Sequence, residues 1–383
     1  MQFKSILGLE HIKRHLTTTA ERGRIAHAQL FIGPEGCGTL PMAVAYAQFI
    51  VCANTKGENE NGNTACNLKC DSLTHPDLHF AFPVSNSNKV KSHAVSDIYL
   101  EEWREFLKEQ PYGNLFDWYR LVGIEKKQGQ IGVDEAQDIV KKLSFKSYEG
   151  GYKVMIIWMA EKMNIAAANK LLKLIEEPPE KTVLLLIAEE EEQIINTILS
   201  RCQILRFPPL SEDVINRALQ ENGVAPNEAF SIAQEANGNY NKALDLVKKD
   251  SEDLVFEKWF VQWVRAAFKA KGNKGAINEL ILWSETISKT GREVQKQFLN
   301  YCLTVIRQAL LLNYKADRLV YLKMHAIHFD LGKFAPFVHE NNVLEITEEL
   351  EKAMYHVERN GNAKVIFADL SIKLTRLLHT KAA

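Results

Sequence analysis

The sequence predicts an α/β domain on a parallel sheet, followed by a small helical lid and an all-α C-terminal domain. Three observations carry this. Short apolar runs at 28–32, 153–158 and 182–188 alternate with stretches of helical periodicity, the pattern of strands covered on both faces. A glycine-rich turn directly follows the first run and opens an apolar helix. From residue 211 onward the apolar spacing is helical, interrupted only by short polar breaks.

Taken in order, Ile6, Leu9, Ile12 and Leu16 recur at helical spacing and place a helix over residues 5–22. Ala28–Ile32 is the first strand, and Met42–Ile50 is a helix-prone run beyond the glycine turn. Residues 54–64, rich in Asn, Gly and Glu, read as an exposed excursion. The segment 77–130 carries Trp103, Phe106, Tyr112, Phe116, Trp118 and Tyr119, and reads as an insertion packed on the sheet. A helix follows over Val133–Phe145, then the wholly apolar strand Lys153–Trp158. Leu171, Leu174 and Ile175 give the next helix one apolar face, and Pro178-Pro179 ends it because a prolyl ring cannot continue the hydrogen-bond ladder. A strand at Thr182–Ala188 comes next. Ile194–Leu199 then leads into Ser200-Arg201-Cys202, and Ile204–Phe207 precedes Pro208-Pro209.

These signals divide the chain into 1–209, a sheet domain; 210–250, a helical lid; and 251–383, a helical domain. Ser211 caps the first lid helix, with Glu212 and Asp213 complementing its dipole, and Glu235-Ala236-Asn237-Gly238-Asn239 breaks the lid internally. In the last domain, breaks fall near 272–275, 288–291, 331–336 and 360–362. Trp259, Trp263, Phe268, Leu282 and Trp283 are expected to fill its core.

At 383 residues and 46% apolar composition the chain can bury several cores, as a soluble globular protein. Its 47 basic and 48 acidic side chains nearly cancel, so any contact with DNA must be local or shared with partners. No apolar run approaches the roughly 20 residues that span a bilayer, and Met1-Gln2-Phe3-Lys4-Ser5 opens no secretory signal, so cytoplasmic residence is expected. The six cysteines suggest no disulfide framework. Cys52, Cys66 and Cys70, followed by His75, leave two readings open: a bound zinc, or reduced thiols in a polar loop.

The turn Gly33-Pro34-Glu35-Gly36-Cys37-Gly38-Thr39-Leu40 has the shape of a phosphate-cradling P-loop. A catalytic loop needs a lysine for the β/γ-phosphates and a hydroxyl for magnesium, and those positions hold Thr39 and Leu40. Gly33, Gly36 and Gly38 still allow an anion nest, a vestigial cofactor-binding loop that is expected to be empty. A second loss agrees with the first. An active site of this kind ends its apolar strand in acidic residues, whereas this strand ends in Trp158 and Met159, with Glu161 displaced further on.

The glycine loop, His75-Pro76-Asp77, Asn169-Lys170-Leu171-Leu172-Lys173-Leu174-Ile175-Glu176-Glu177-Pro178-Pro179 and Ser200-Arg201-Cys202 occur in the order that resembles the bacterial sliding-clamp loaders of DNA polymerase III, within the AAA+ class. The likeness covers residues 1 to about 250, with Asn360-Gly361-Asn362 similar to a short motif near the family's last helix. It implies a catalytic role for Arg201, as the finger presented in trans to a neighbour's ATP, with Ser200 capping or orienting it. A guanidinium suits this, being permanently charged and able to fork onto phosphate oxygens. The resemblance further implies a hetero-pentamer with motor subunits and a delta subunit, acting on the sliding clamp and, through the assembly, on primer-template DNA. The helical end domain would join its collar. It implies no ATPase of the chain's own, only an accessory part in the polymerase holoenzyme. Family members commonly carry four zinc-binding cysteines with Cys-x2-Cys steps, a pattern absent here, so no metal is carried over. Two other readings remain: an active AAA+ ATPase, against which Thr39, Leu40 and Trp158 stand, and a single-stranded DNA binder stacking bases on the 77–130 aromatics, against which the charge balance stands. Lys170 and Lys173 are possible direct DNA contacts.

Overall fold

The computed structural model describes residues 1–53, 64–87, 89–125, 127–248, 252–322, 324 and 329–381, so the excursion read over 54–64 lies almost wholly outside the described residues. The chain forms two compact units. The first comprises Met1–Ile124 and Gln128–Leu244, and the second Asp245–Ala383 with Glu125–Lys127.

Five strands make the sheet of the first unit: β1 (Ala28–Ile32), β2 (Leu78–Ala81), β3 (Lys153–Ile157), β4 (Thr182–Ala188) and β5 (Gln203–Arg206). All pair in parallel, in the order β2-β3-β4-β1-β5. Every residue of β1, β3 and β4 is buried, as continuous apolar runs require when helices cover both faces. The short edge strand β2 is missing from the sequence reading, because Leu78-His79-Phe80-Ala81 is only four residues long and carries one alternation.

The helices of this unit are α1 (Glu10–Glu21), α2 (Thr39–Ala53), α3 (Thr64–Asp71), α4 (Leu100–Glu109), α5 (Leu115–Leu121), α6 (Val133–Ser144), α7 (Ile165–Glu176), α8 (Asn196–Leu199), α9 (Glu212–Glu221), α10 (Pro226–Ala236) and α11 (Tyr240–Lys248). Helix α1 begins at Glu10 rather than residue 5, because Gly8 and Leu9 both take positive φ, 56° and 57°, and interrupt the α-helical path. On one face of the sheet, Leu30, Met155, Leu184 and Leu186 pack with Ile139, Leu143, Leu171 and Ile175 of α6 and α7. Elsewhere the 77–130 aromatics are core side chains. Trp103 stacks on Phe82 at 4.2 Å and meets Trp118 and Trp158 at 5.2 Å each, and Trp118 Nε1 donates to Pro83 O. Such pairs are each worth about 0.5–1.5 kcal/mol beyond the area they bury. Trp103, Phe106, Trp118 and Tyr119 are buried, which leaves them no face for stacking bases.

The second unit contains α12 (Glu252–Lys269), α13 (Lys274–Ser288), α14 (Arg292–Asn313), α15 (Leu331–Phe334), α16 (Val343–Glu358) and α17 (Ala363–Leu377). Phe256, Phe260, Trp263, Trp283, Phe298 and Phe367 share one core, in which Trp263 and Trp283 lie parallel at 4.9 Å. Two expected core residues lie elsewhere. Leu282 is 62% exposed, and Phe268 is 39% exposed at the margin of the cluster, where it meets Phe337 at 4.6 Å and stacks on His379 at 5.0 Å. Asn362 caps α17 by accepting from the Val365 N–H, which gives the Asn360-Gly361-Asn362 turn a structural role.

Glu135 of α6 is buried and accepts from the Ser96 N–H at 2.6 Å, and burial pushes its carboxyl up to about 7. A carboxyl raised on folding binds protons more readily in the native state, so its contribution declines as pH rises from the ordinary glutamate range to about 7, and is flat above. The decline is on the order of 3 kcal/mol. We expect Glu135→Gln to remove it, read as hydrogen-exchange protection in α6 and at Ser96 that no longer falls between about pH 5 and 8, after correction for intrinsic exchange.

Candidate functional site

Strand β1 delivers the chain into the glycine loop, whose entry is pinned by the Gly33 N–H donating to Ala188 O at the end of β4. Gly36 and Gly38 have φ of 69° and 100°, conformations that side-chain-bearing residues rarely adopt. Both are also crowded. A Cβ on Gly36 would lie 1.9 Å from Asn239 Oδ1, and one on Gly38 would lie 3.0 Å from the Tyr112 ring. The glycines therefore admit the protein's own side chains to the loop.

Those side chains come from two distant segments of the first unit. The Glu35 carboxylate accepts from Asn239 Nδ2 at 3.0 Å and from Asn114 Nδ2 at 3.1 Å, both at Oε1. The Tyr240 N–H donates to Gly36 O at 3.2 Å, which ties the first turn of α11 to the loop backbone. Asn114 also caps α5 reciprocally with Asp117, and Asp117 accepts from Asn241 Nδ2 at 2.8 Å. Tyr112 accepts from the Leu7 N–H and sets its ring edge-on to Tyr240 at 5.1 Å. At the catalytic lysine and hydroxyl positions, Thr39 and Leu40 are buried in the first turn of α2.

The electrostatics run against phosphate. Burial pushes the Glu35 carboxyl up from its ordinary value, against the two amide hydrogen bonds that lower it. Glu189, immediately after β4, is raised well above its ordinary range by burial first and then by the charges of Glu35 and Glu161. Glu161 is likewise raised by burial, and its Oε1 accepts from the Glu189 N–H at 3.2 Å. Where an active loop presents a cation, this one presents carboxyl groups that already crowd one another. Trp158 fills the acidic strand-end position as a core aromatic against Trp103 and Phe106.

Arg201 stands apart from this network. It follows the single turn of α8 and leads into β5, with its side chain about one third exposed. Its Nε donates to Glu176 Oε2 at 3.0 Å, and its Nη1 donates to Thr197 O at 3.1 Å and to Ser200 Oγ at 3.4 Å. The glutamate that ends α7 and the serine before the arginine thus hold the guanidinium from two sides. Glu176 is half exposed, so this ion pair is worth only about 0–1 kcal/mol and leaves the group free to exchange partners. Burial raises the Cys202 thiol to about 11, which makes it a packing residue rather than a nucleophile. Lys170 and Lys173 lie on the exposed face of α7.

His75-Pro76-Asp77 is structural. Buried Asp77 accepts from the Tyr148 and Glu149 N–H groups and from Ser147 Oγ, fastening the segment before β3 to the start of β2. His75 Nδ1 accepts from the Asp77 N–H at 3.1 Å, so the ring proton resides on Nε2, which faces Glu149 Oε2 at 3.4 Å. Contrary to the expectation of no disulfide, Cys52 and Cys66 are bonded, because the last turn of α2 lies against the first turn of α3 and brings their Cα atoms to 5.6 Å. The buried Cys70 thiol lies 3.7 Å from Cys52 and is pushed up to about 12 by burial. The ligand atoms of Cys52, Cys66 and Cys70 lie within 4.8 Å of one another, as do those of Cys66, His75 and Glu149, and the disulfide engages two of the three thiols.

A five-stranded parallel sheet in this order, with a glycine loop between strand β1, flanked by β4 and β5, and helix α2, defines a P-loop protein of the AAA+ type. The family described as "DNA polymerase III, delta subunit" matches residues 8–211, more than half of the chain, and this chain belongs to it. Among curated relatives, the DNA polymerase III subunit delta' of Bacillus subtilis is 29% identical over 239 residues, covering 62% of this chain and 59% of that protein. The subunit tau of the same organism is 24% identical over 252 residues, covering 64% and 37%. The subunit delta' of Haemophilus influenzae is 26% identical over 227 residues, covering 59% and 56%. The chain thus spans less than two thirds of the length of each.

The sequence reading singled out the three glycines and Arg201, and assigned no part in the loop to Glu35, Asn114, Tyr112, Glu189 or Asn239. A faint signal lay in Asn237-Gly238-Asn239, read there only as a break. We expect Gly36→Ala to destabilise the first unit by about 2 kcal/mol or more, since it combines left-handed backbone strain with the Asn239 collision. Gly23→Ala, at a similar φ in open space, isolates the backbone cost and should lose about 1 kcal/mol. Urea unfolding monitored by exchange of the first unit's core amides measures both.

Proposed function

We propose that this chain is a non-hydrolysing, delta-prime-type subunit of a bacterial DNA polymerase III clamp loader, which supplies Arg201 to the ATP site of a neighbouring subunit. The observation that carries this reading is the division of labour between two sites. The chain's own phosphate loop is occupied by Asn239 and lined by Glu35 and Glu189, whereas Arg201 is exposed and held only by an exposed carboxylate and neighbouring oxygens. A group that must reach another subunit's phosphate has to be accessible, charged and loosely held, and Arg201 meets all three conditions. The delta' and tau relatives, each named as a subunit of DNA polymerase III, support the setting of a multi-subunit assembly, in which we place motor subunits and a delta subunit in the cytoplasm.

In this scheme the helical second unit joins the collar, and the first unit contacts the adjacent ATPase. ATP bound by the motors favours a state that holds the sliding clamp open for primer-template DNA, and hydrolysis releases the clamp. The chain takes part without turning over nucleotide. No resident cofactor is required, and the ATP that Arg201 meets belongs to the neighbour.

Reconstitution with the remaining loader subunits tests the assignment. Arg201→Ala should leave assembly intact by size-exclusion chromatography and lower DNA-stimulated ATP hydrolysis by about 10³-fold or more, the scale of such fingers elsewhere. Arg201→Lys should restore little, because an ammonium cannot fork onto two oxygens. Unchanged hydrolysis in Arg201→Ala would remove the finger. The isolated chain should show no magnesium-dependent ATP turnover and no rise in melting temperature with millimolar ATP.

A further inference from the structure

We propose that helix α1 is a docking site for the phosphodiester backbone of duplex nucleic acid. The inference stands apart from the Arg201 assignment and uses no residue of the phosphate loop. Helix α1 buries Ile12 and Leu16 against its own domain, which fixes the direction of its other face. On that face His11, Arg14, His15, Thr18, Thr19 and Arg22 line one shallow groove. They recur at three- and four-residue steps from His11 to Arg22, a stripe about 16 Å long at helical rise. No acidic side chain lines the groove.

The charges on the stripe are available. Arg14, Arg22, His11 and His15 are exposed, and Arg24 and His27 continue the basic run past the helix end, exposed as well. Among the described residues no carboxylate pairs with Arg14, Arg22 or Arg24. Of the two acids on the helix, Glu10 is engaged by Lys13 at 2.7 Å, and Glu21 lies beyond the groove lining. In a chain whose basic and acidic residues number 47 and 48, this is a marked local asymmetry.

The composition of the stripe selects the partner. Protein interfaces centre on buried apolar or aromatic anchors, and α1 exposes no large hydrophobic residue. Single strands are gripped by aromatic stacking, and the stripe holds no Phe, Tyr or Trp. Membrane surfaces take helices with an apolar face to insert, and the apolar face here is already buried. What remains is two unpaired arginines in the groove, with Arg24 beyond the helix end, among histidine and threonine hydrogen-bonding groups and without anchors, the chemistry that contacts phosphates and positions a duplex without reading its bases. Small threonines between the arginines leave room for the backbone to lie along the groove.

The full-length chain and a fluorescein-labelled 30-base-pair duplex test this by anisotropy between about 50 and 200 mM salt. The wild type should bind weakly with a steep salt dependence. Arg14→Gln/Arg22→Gln should weaken binding at 50 mM salt by about tenfold or more and flatten the log-log salt slope by about 1.8, at about 0.9 for each phosphate no longer neutralised. Arg14→Lys/Arg22→Lys, which retains both charges, should keep most of the affinity and the slope. Circular dichroism melting confirms that the variants fold. The proposal is overturned if the wild type does not bind the duplex at 50 mM salt, or if the glutamine variant binds with unchanged affinity and slope. It is equally overturned if the arginines prove to serve polyglutamate or phosphatidylglycerol vesicles while duplex affinity stays unchanged.

Discussion

The first unit depends on one carboxylate. Glu35 stands in the middle of a loop whose amides are usually free to receive phosphate, and it accepts from amides carried by two segments far away in the chain, Asn114 and Asn239. Each bond is individually modest, and hydrogen bonds to charged groups contribute about 1.5–3 kcal/mol. Their placement matters more than their sum. In P-loop enzymes a nucleotide lies between loop and lid, whereas here Asn239, the Tyr240 backbone and the Tyr112–Tyr240 edge contact join them directly. A lid fastened in this way is held on the loop without a nucleotide between them.

This constraint separates the two ends of the expected chemistry. The loop retains its glycines for a new reason, since Gly36 and Gly38 now give space to Asn239 and Tyr112. Arg201 sits in the contrary environment, on an exposed turn, with a half-exposed glutamate and a threonine carbonyl as its main partners. One site is closed by internal contacts and the other is left open by weak ones, and both follow from local packing.

Much of the fold was legible because strands buried on both faces leave unbroken apolar runs, and β1 and β4 fall on the expected residues. The proline stop after Glu177 delimits the end of α7 in the same direct way, whereas its cap at Asn164 was not read. Strand β2 was not legible, being four residues at a sheet edge. The start of α1 was misjudged because apolar periodicity continues through Gly8 and Leu9 while the backbone does not. The loop's closure could not be read at all. Glu35 and Asn239 are 204 positions apart, and no local pattern marks a carboxylate whose partners arrive from another helix. The Cys52–Cys66 bond was hidden similarly, since it depends on how α2 and α3 pack.

The filled loop also bears on reversibility. Restoring a lysine at position 39 and a hydroxyl at position 40 would return the missing functional groups to a cavity with no vacancy. The new ammonium would find glutamates where phosphates should lie, and the incoming triphosphate would have to evict Asn239 before making its first contact. On the proposed reading, a loss of hydrolysis is therefore hard to reverse: the way back runs through changes on three separate stretches of chain, around Thr39, Glu189 and Asn239.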